Sequence, residues 1–170
     1  MKSPHRLVRT VAAVVLCVGA TLASSGTAHA ETWGRWVSAA TGKCLTVFPS
    51  NDVVGQDFCE AGRQTQLWTT EFVDEGALVY QLRSASGGCL WARYILGAYY
   101  AYRTECNANH ADKRFFVANG YISPDFSRGM KVTAARAYDT DVVVISVPRD
   151  YSDPRVKWTY NEVRRSSLPA

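Results

Sequence analysis

After residue 30, apolar positions come in short runs rather than on helical faces. Trp36-Val37, Leu78-Val79-Tyr80-Gln81-Leu82, Phe115-Phe116-Val117 and Lys131-Val132 are bounded by Gly, Ser, Asn, Asp or Pro. Runs rich in β-branched and aromatic residues, broken by turn formers, read as strands. No competing stretch carries apolar residues at a period of 3.6. Asp141–Val147 is apolar from Val142 to Ile145 and again at Val147, and reads as a strand buried on both sides. The pattern predicts an all-β chain without a linker or low-complexity tract, with a polar tail over 164–170 that frays.

The runs also repeat. Ser38-Ala-Ala-Thr-Gly-Lys-Cys44-Leu-Thr-Val47 leads to Gln66-Leu67-Trp68, and weaker copies follow at Ser84–Leu90 and Ser127–Val132. With Cys44, Cys89 and Met130 as first anchors, the spacings are 45 and 41 residues. With Trp68, Phe116 and Trp158 as closing aromatics, they are 48 and 42. The second anchors become Cys59, Cys106 and Val147, so the third copy keeps apolar volume where the others carry cysteine. A period near 40 residues predicts repeat architecture, with lobes at about 33–76, 77–118 and 119–162 that bury their apolar faces only together.

Composition changes the picture at the N-terminus. Lys2, Arg6 and Arg9 precede an apolar run from Val11 to Leu22, and Ala28-His29-Ala30 is a small-x-small cleavage site. Residues 1–30 therefore read as a secretory signal peptide, with 31–170 as a single exported domain. The run falls short of the about 20 apolar residues that cross a membrane. Leu16 before Cys17 is bulkier than a lipoprotein site prefers. Without residues 1–30, sixteen Lys plus Arg face fifteen Asp plus Glu. So near-neutral a surface predicts neither nucleic acid nor membrane insertion.

Four cysteines remain, Cys44, Cys59, Cys89 and Cys106, and in an exported chain they read as disulfides. Of the three connectivities available, the repeats select pairing within copies: Cys44–Cys59 and Cys89–Cys106. Loops of that length are worth about 3 kcal/mol each in the chain-entropy model. Zinc competes poorly, since no CxxC pair is present and residues 31–170 hold one histidine.

Gly42-Lys43-Cys44-Leu45-x-Val47, a second cysteine and then Gln66-Leu67-Trp68 resemble the ricin-type lectin repeat with its Gln-x-Trp signature. The resemblance covers roughly 33–160, strongest in the first copy and faint in the third. It implies a β-trefoil of three lobes, disulfides within lobes, and non-catalytic binding of galactose-type or related sugars. The family's sugar pocket does not carry over. Its acid, two residues after the first cysteine, is matched by Thr46, Trp91 and Val132. Its aromatic platform is matched by Asp57, Thr104 and Ile145, and the Asn before the signature Gln by Thr65. Gln66 alone is kept.

Outside that pocket, the second copy carries Trp91, Tyr94, Tyr99, Tyr100 and Tyr102, interleaved with Arg93 and Arg103. Flat rings beside hydrogen-bonding groups suit sugar faces and protein hot spots alike. These five residues and Gln66 are the candidate carbohydrate-binding set. Asp139, Asp141, Asp150 and Asp153 match no calcium-loop spacing, and His110 sits in a polar loop without a nucleophile motif. The sequence therefore predicts no enzyme, no metal and no cofactor. The expected partner is a glycan or polysaccharide outside the cell, the alternative being a protein partner on a lectin-derived scaffold. A small secreted enzyme ranks last, and no catalytic chain is expected to be fused to the repeats.

Overall fold

In a computed structural model the described residues are 31–74, 76–134, 143–148 and 150–163. The signal-peptide reading, Cys17, Asp139, Asp141 and the tail at 164–170 lie outside them. Twelve strands are described: β1 Gly34–Ser38, β2 Cys44–Phe48, β3 Val53–Asp57, β4 Trp68–Asp74, β5 Val79–Ser84 and β6 Cys89–Ile95. The second half adds β7 Ala98–Thr104, β8 Phe115–Ala118, β9 Tyr121–Pro124, β10 Lys131–Ala134, β11 Val143–Ser146 and β12 Trp158–Glu162.

Six strands form a ring. β12 pairs with β1, β1 with β4, β4 with β5, β5 with β8 and β8 with β9. The Trp158 N–H closes it by donating to the Gly120 carbonyl, just ahead of β9, at 2.8 Å. The remaining strands make three hairpins, β2–β3, β6–β7 and β10–β11, which meet where β7 pairs with both β11 and β3.

The three-fold relation is written in hydrogen bonds. Ala39 N–H donates to Lys157 C=O at 3.0 Å, Ala85 N–H to Leu67 C=O at 2.9 Å and Asp125 N–H to Arg114 C=O at 2.9 Å. Each accepting carbonyl ends a short 3-10 turn (Gln64–Gln66, Ala111–Lys113 or Pro154–Val156) and precedes a fully buried ring, Trp68, Phe115 or Trp158. These rings share one core with Leu45, Leu82, Leu90, Ile122, Val132 and Ile145. No single lobe could enclose so many large apolar side chains. The architecture is a β-trefoil.

The repeat alignment needs three corrections. The closing aromatic of the second lobe is Phe115, not Phe116, because Phe115 follows the turn and faces inward while the Phe116 ring lies under Arg128. The first anchor of the third lobe is Lys131, not Met130: Lys131 opposes Ser146 as Cys44 opposes Asp57 and Cys89 opposes Thr104. The second anchor follows two residues after the opposing position, which gives Pro148 and not Val147. Val147 is exposed, as Cys59 and Cys106 also are, so the strand register and not burial decides the position. The matching positions of the third lobe move accordingly, from Val132 and Ile145 to Thr133 and Ser146. Strand pairing alternates sides at every residue, so a slip of one exchanges core for surface. For the same reason the described part of the 141–147 strand alternates rather than being buried on both sides, with Val143 and Ile145 inside.

Candidate functional site

The β6–β7 hairpin carries the aromatic candidates and divides them between its two faces. Residues directly opposite each other in an antiparallel pair share a face. Trp91 opposes Tyr102 and Arg93 opposes Tyr100, which puts these four together on one side. Tyr94 opposes Tyr99 on the other side, the side of Leu90, Ala92 and Ala101, which enter the core.

The Trp91 side is already covered. The Arg93 guanidinium lies 5.3 Å from the Trp91 ring and 5.2 Å from the Tyr102 ring, so one cation covers both faces. The Trp91 Nε1–H donates to Asp112 Oδ2 at 2.8 Å, which fastens the hairpin to the 3-10 turn.

The Tyr94 side is open. Tyr94 is 63% exposed, and its ring centroid lies 4.9 Å from that of Tyr99 at an interplanar angle of 54°. Tyr99 continues to Phe126 at 5.1 Å and 39°, giving a strip of three rings. The strip walls a hollow of about 410 Å³ lined by Ala92, Tyr94, Tyr99, His110, Asp112 and Phe126, with Ala111. Asp112 Oδ1 is buried with no hydrogen-bond partner among the described residues. Among charged groups on neighbouring elements, Arg93 stacks on Trp91 and Tyr102, Arg114 pairs with Asp125, and Lys113 Nζ donates to the Glu105 carbonyl. Arg128 sits over Phe116.

The hairpin tip is unusual. Leu96 and Gly97 make a two-residue turn at φ +49° and +87°. Such turns favour Asn-Gly, because a leucine side chain is strained in the left-handed region. Leu96 is also 100% exposed.

Gln66, the signature glutamine, belongs to the fold rather than to the surface. It is fully buried, its Nε2 donates to Thr46 Oγ1 and Phe58 C=O, and its Oε1 accepts from Glu60 N–H. In the same lobe Asp57 accepts from Arg63 Nη1 at 2.8 Å. Partial burial opposes the charge on Asp57, yet bonds from Arg63 and the Phe58 N–H, with Lys43 nearby, hold its carboxyl below the usual range. Asp150 accepts twice from Ser152, which lowers its pKa, and Asp153 is paired with Arg155. Both carboxylates thus serve their turn.

Cys44–Cys59 and Cys89–Cys106 are disulfide-bonded, with Cα atoms 5.1 Å and 4.9 Å apart. Two further hollows are lined in part by charged residues. One, of about 550 Å³, lies between the first and second lobes around Asp52, Glu71, Arg83 and Arg103, and the other, of about 530 Å³, lies in the third lobe around Thr133, Ser146, Asp153 and Arg155. The two arginines of the first are tied to Glu31 and Asp52. Among the described residues no helix is long and apolar enough to cross a membrane.

Asp112, Phe126 and Leu96 stood outside the sequence-derived candidates. Phe126 belongs to the third lobe by sequence and reaches the second only through the fold.

Twelve described strands in three hairpin-bearing lobes define the fold as a β-trefoil. The solved structures it resembles are consistent with that. The C-half of the earthworm R-type lectin, in complex with GalNAc, matches at a TM-score of 0.60 and 14% identity, covering 78% of this chain and 99% of that one. A designed three-fold symmetric protein, ThreeFoil, matches at 0.63 and 16%, covering 77% and 99%. A Clostridium perfringens endo-β-galactosidase releasing GlcNAcα1-4Gal matches at 0.63 and 18%, covering 78% of this chain but 33% of the enzyme. No protein-family model and no curated protein matches the sequence.

Proposed function

We propose that this chain is an exported, non-catalytic carbohydrate-binding protein of the ricin-type lectin kind, whose saccharide sits against Tyr94, Tyr99 and Phe126. The observation that carries this reading is the strip of three contiguous rings walling a hollow that also holds a carboxylate and an imidazole. Pyranose rings present an apolar face for stacking and equatorial hydroxyls for hydrogen bonds, and both are served within one hollow. Sugar-bound lectins of the same fold support the reading at the level of architecture.

The pocket usual for the family is degenerate. Its acid position is held by Thr46, Trp91 and Thr133, and in the first lobe the neighbouring Asp57, Arg63 and Gln66 are spent on one another or on backbone. The non-catalytic reading is supported by charge count: glycoside hydrolysis uses two carboxyl groups flanking the bond, and this hollow offers Asp112. Export rests on the basic, apolar and small-residue pattern of residues 1–30 and fits two disulfides. N-terminal sequencing of the secreted protein should begin at Glu31.

A glycan and polysaccharide screen with the purified protein tests the binding. The expected result is capture of at least one saccharide class, lost in Tyr94→Ala and Tyr99→Ala. An empty screen, or binding indifferent to both changes, rejects the reading.

A protein partner is the second reading, favoured by the wholly exposed Leu96 at the strained hairpin tip. Affinity capture from extracellular extracts, repeated with Leu96→Asp, separates it. A partner lost with Leu96→Asp, alongside an empty glycan screen, would establish it over the first.

A further inference from the structure

The hollow beside Tyr94 has a sign as well as a shape. Of its lining residues Asp112 is the acidic one, and Trp91 Nε1–H holds one of its carboxylate oxygens at 2.8 Å. That bond fixes the carboxylate in place. The other oxygen, Oδ1, is out of solvent and has no partner among the described residues. The carboxylate thus stands at the wall of the hollow, anchored through one oxygen to Trp91.

Positive groups on the adjoining elements are turned elsewhere. Arg93 lies over Trp91 and Tyr102 on the opposite face of the hairpin, and Arg114 is paired with Asp125. Lys113 reaches the Glu105 carbonyl and Arg128 covers Phe116. The hollow therefore sets the Asp112 carboxylate, with the His110 imidazole in the same lining, beside a wall of aromatic rings. Ring faces are themselves negative through their quadrupole, so Tyr94, Tyr99 and Phe126 add to the field of Asp112 instead of opposing it.

A neutral hydroxyl can bond a carboxylate, but an ammonium is drawn to the carboxylate and the ring faces together. An anionic sugar would meet like charge. Building on the carbohydrate reading, we infer that the saccharide unit held in this hollow carries a free, positively charged amine, as in an unacetylated hexosamine. Its ammonium is held by the charge of the Asp112 carboxylate while the pyranose ring lies along the aromatic strip. N-acetylation removes the charge and adds bulk at the same atom. A quaternary ammonium head group shares the charge but has no N–H to donate and no pyranose face.

The test is calorimetric titration of the purified protein with three probes: a glucosamine tetramer, an N-acetylglucosamine tetramer and choline. The expected result is binding of the glucosamine tetramer roughly tenfold or more above either of the others. Asp112→Asn, which keeps an acceptor for Trp91, should lower glucosamine affinity by roughly tenfold with the melting transition preserved. Should that variant fail to fold, Tyr94→Ala on an exposed ring must show the same loss. Equal affinity for the acetylated tetramer, or no effect of either substitution, overturns the amine assignment while carbohydrate binding stands. Choline bound above glucosamine also overturns it, in favour of an organic-cation site. Silence with all three probes, alongside a positive glycan screen, overturns the amine assignment alone; silence together with an empty screen overturns both.

Discussion

The Trp158 indole N–H donates to the Val132 carbonyl at 2.8 Å, the same bond that Trp68 makes to Leu45 at 2.9 Å. It sets the register of the third lobe, since the residue before Leu45 is Cys44 and the residue before Val132 is Lys131. A lysine thus stands where the other two lobes keep a disulfide. Lys131 is only 6% exposed, its Nζ donates to the Arg128 and Met130 carbonyls, and the rings of Tyr121 and Tyr151 lie 5.6 Å and 5.4 Å away.

This equivalence predicts that the missing staple can be installed. Lys131→Cys with Pro148→Cys should form a third disulfide spontaneously on export, visible in non-reducing peptide maps. The bridge should add up to about 3 kcal/mol over the reduced double variant. Two free thiols at these positions would show that the third lobe departs from the register of the other two.

Lys131 alone should be dispensable for stability. Burial holds its pKa below the ordinary 10.5. The unfolded chain then binds that proton more tightly than the folded one. Its contribution to stability is accordingly lowest where both states are protonated and rises as pH climbs toward 10.5. Lys131→Met keeps the stem and removes the charge, and should gain about 1 kcal/mol at neutral pH in urea unfolding. The alkaline rise should vanish in the same variant.

Tyr160 works in the opposite sense. Burial, reinforced by the charge of Glu162, pushes its hydroxyl from 10.0 up to about 12. That hydroxyl faces the Thr32 and Trp68 carbonyls, each at 3.0 Å, and its ring packs on Trp36. The folded state keeps the proton after the unfolded state has released it, so stability falls between pH 10 and 12. At about 1.4 kcal/mol per pKa unit the shift sets a ceiling of about 3 kcal/mol, and solvent screening of this half-buried group brings the loss below it. Tyr160→Phe should flatten that decline in melting curves taken across the range.

Gln66 should behave as a structural residue. Gln66→Ala removes bonds to Thr46, Phe58 and Glu60 from a site without solvent, and should cost about 2–3 kcal/mol in denaturant unfolding. Saccharide affinity per folded molecule should stay unchanged. A stable variant that has lost its ligand would instead return this glutamine to the binding surface.

What the sequence showed depended on how sharply a residue marks its own register. Cysteines do so, because a bridge joins two fixed points, and Cys44–Cys59 and Cys89–Cys106 are readable from the repeat. Tryptophan at Trp68 and Trp158 does so too, as a large ring with one donor to place. Where neither marker was present the reading slipped by one residue, at Phe115 against Phe116 and at Lys131 against Met130. An apolar neighbour is a poor ruler, and a buried lysine is an improbable tenant. The site was legible only in part. The ring cluster is visible in the chain, but its division between hairpin faces needs the pairing of Tyr94 with Tyr99 and Trp91 with Tyr102. Phe126 is brought to the hollow from the third lobe, and Asp112 from the 3-10 turn of the second, by tertiary packing.

The most direct test of carbohydrate binding at the second lobe is a two-dimensional NMR titration with a panel of neutral and amino-sugar oligosaccharides. The account predicts that backbone amide shifts cluster at Tyr94, Tyr99, Ala111, Asp112 and Phe126. Shifts gathered instead around Thr133, Asp153 and Arg155 in the third lobe, or no shifts with any member of the panel, would contradict it.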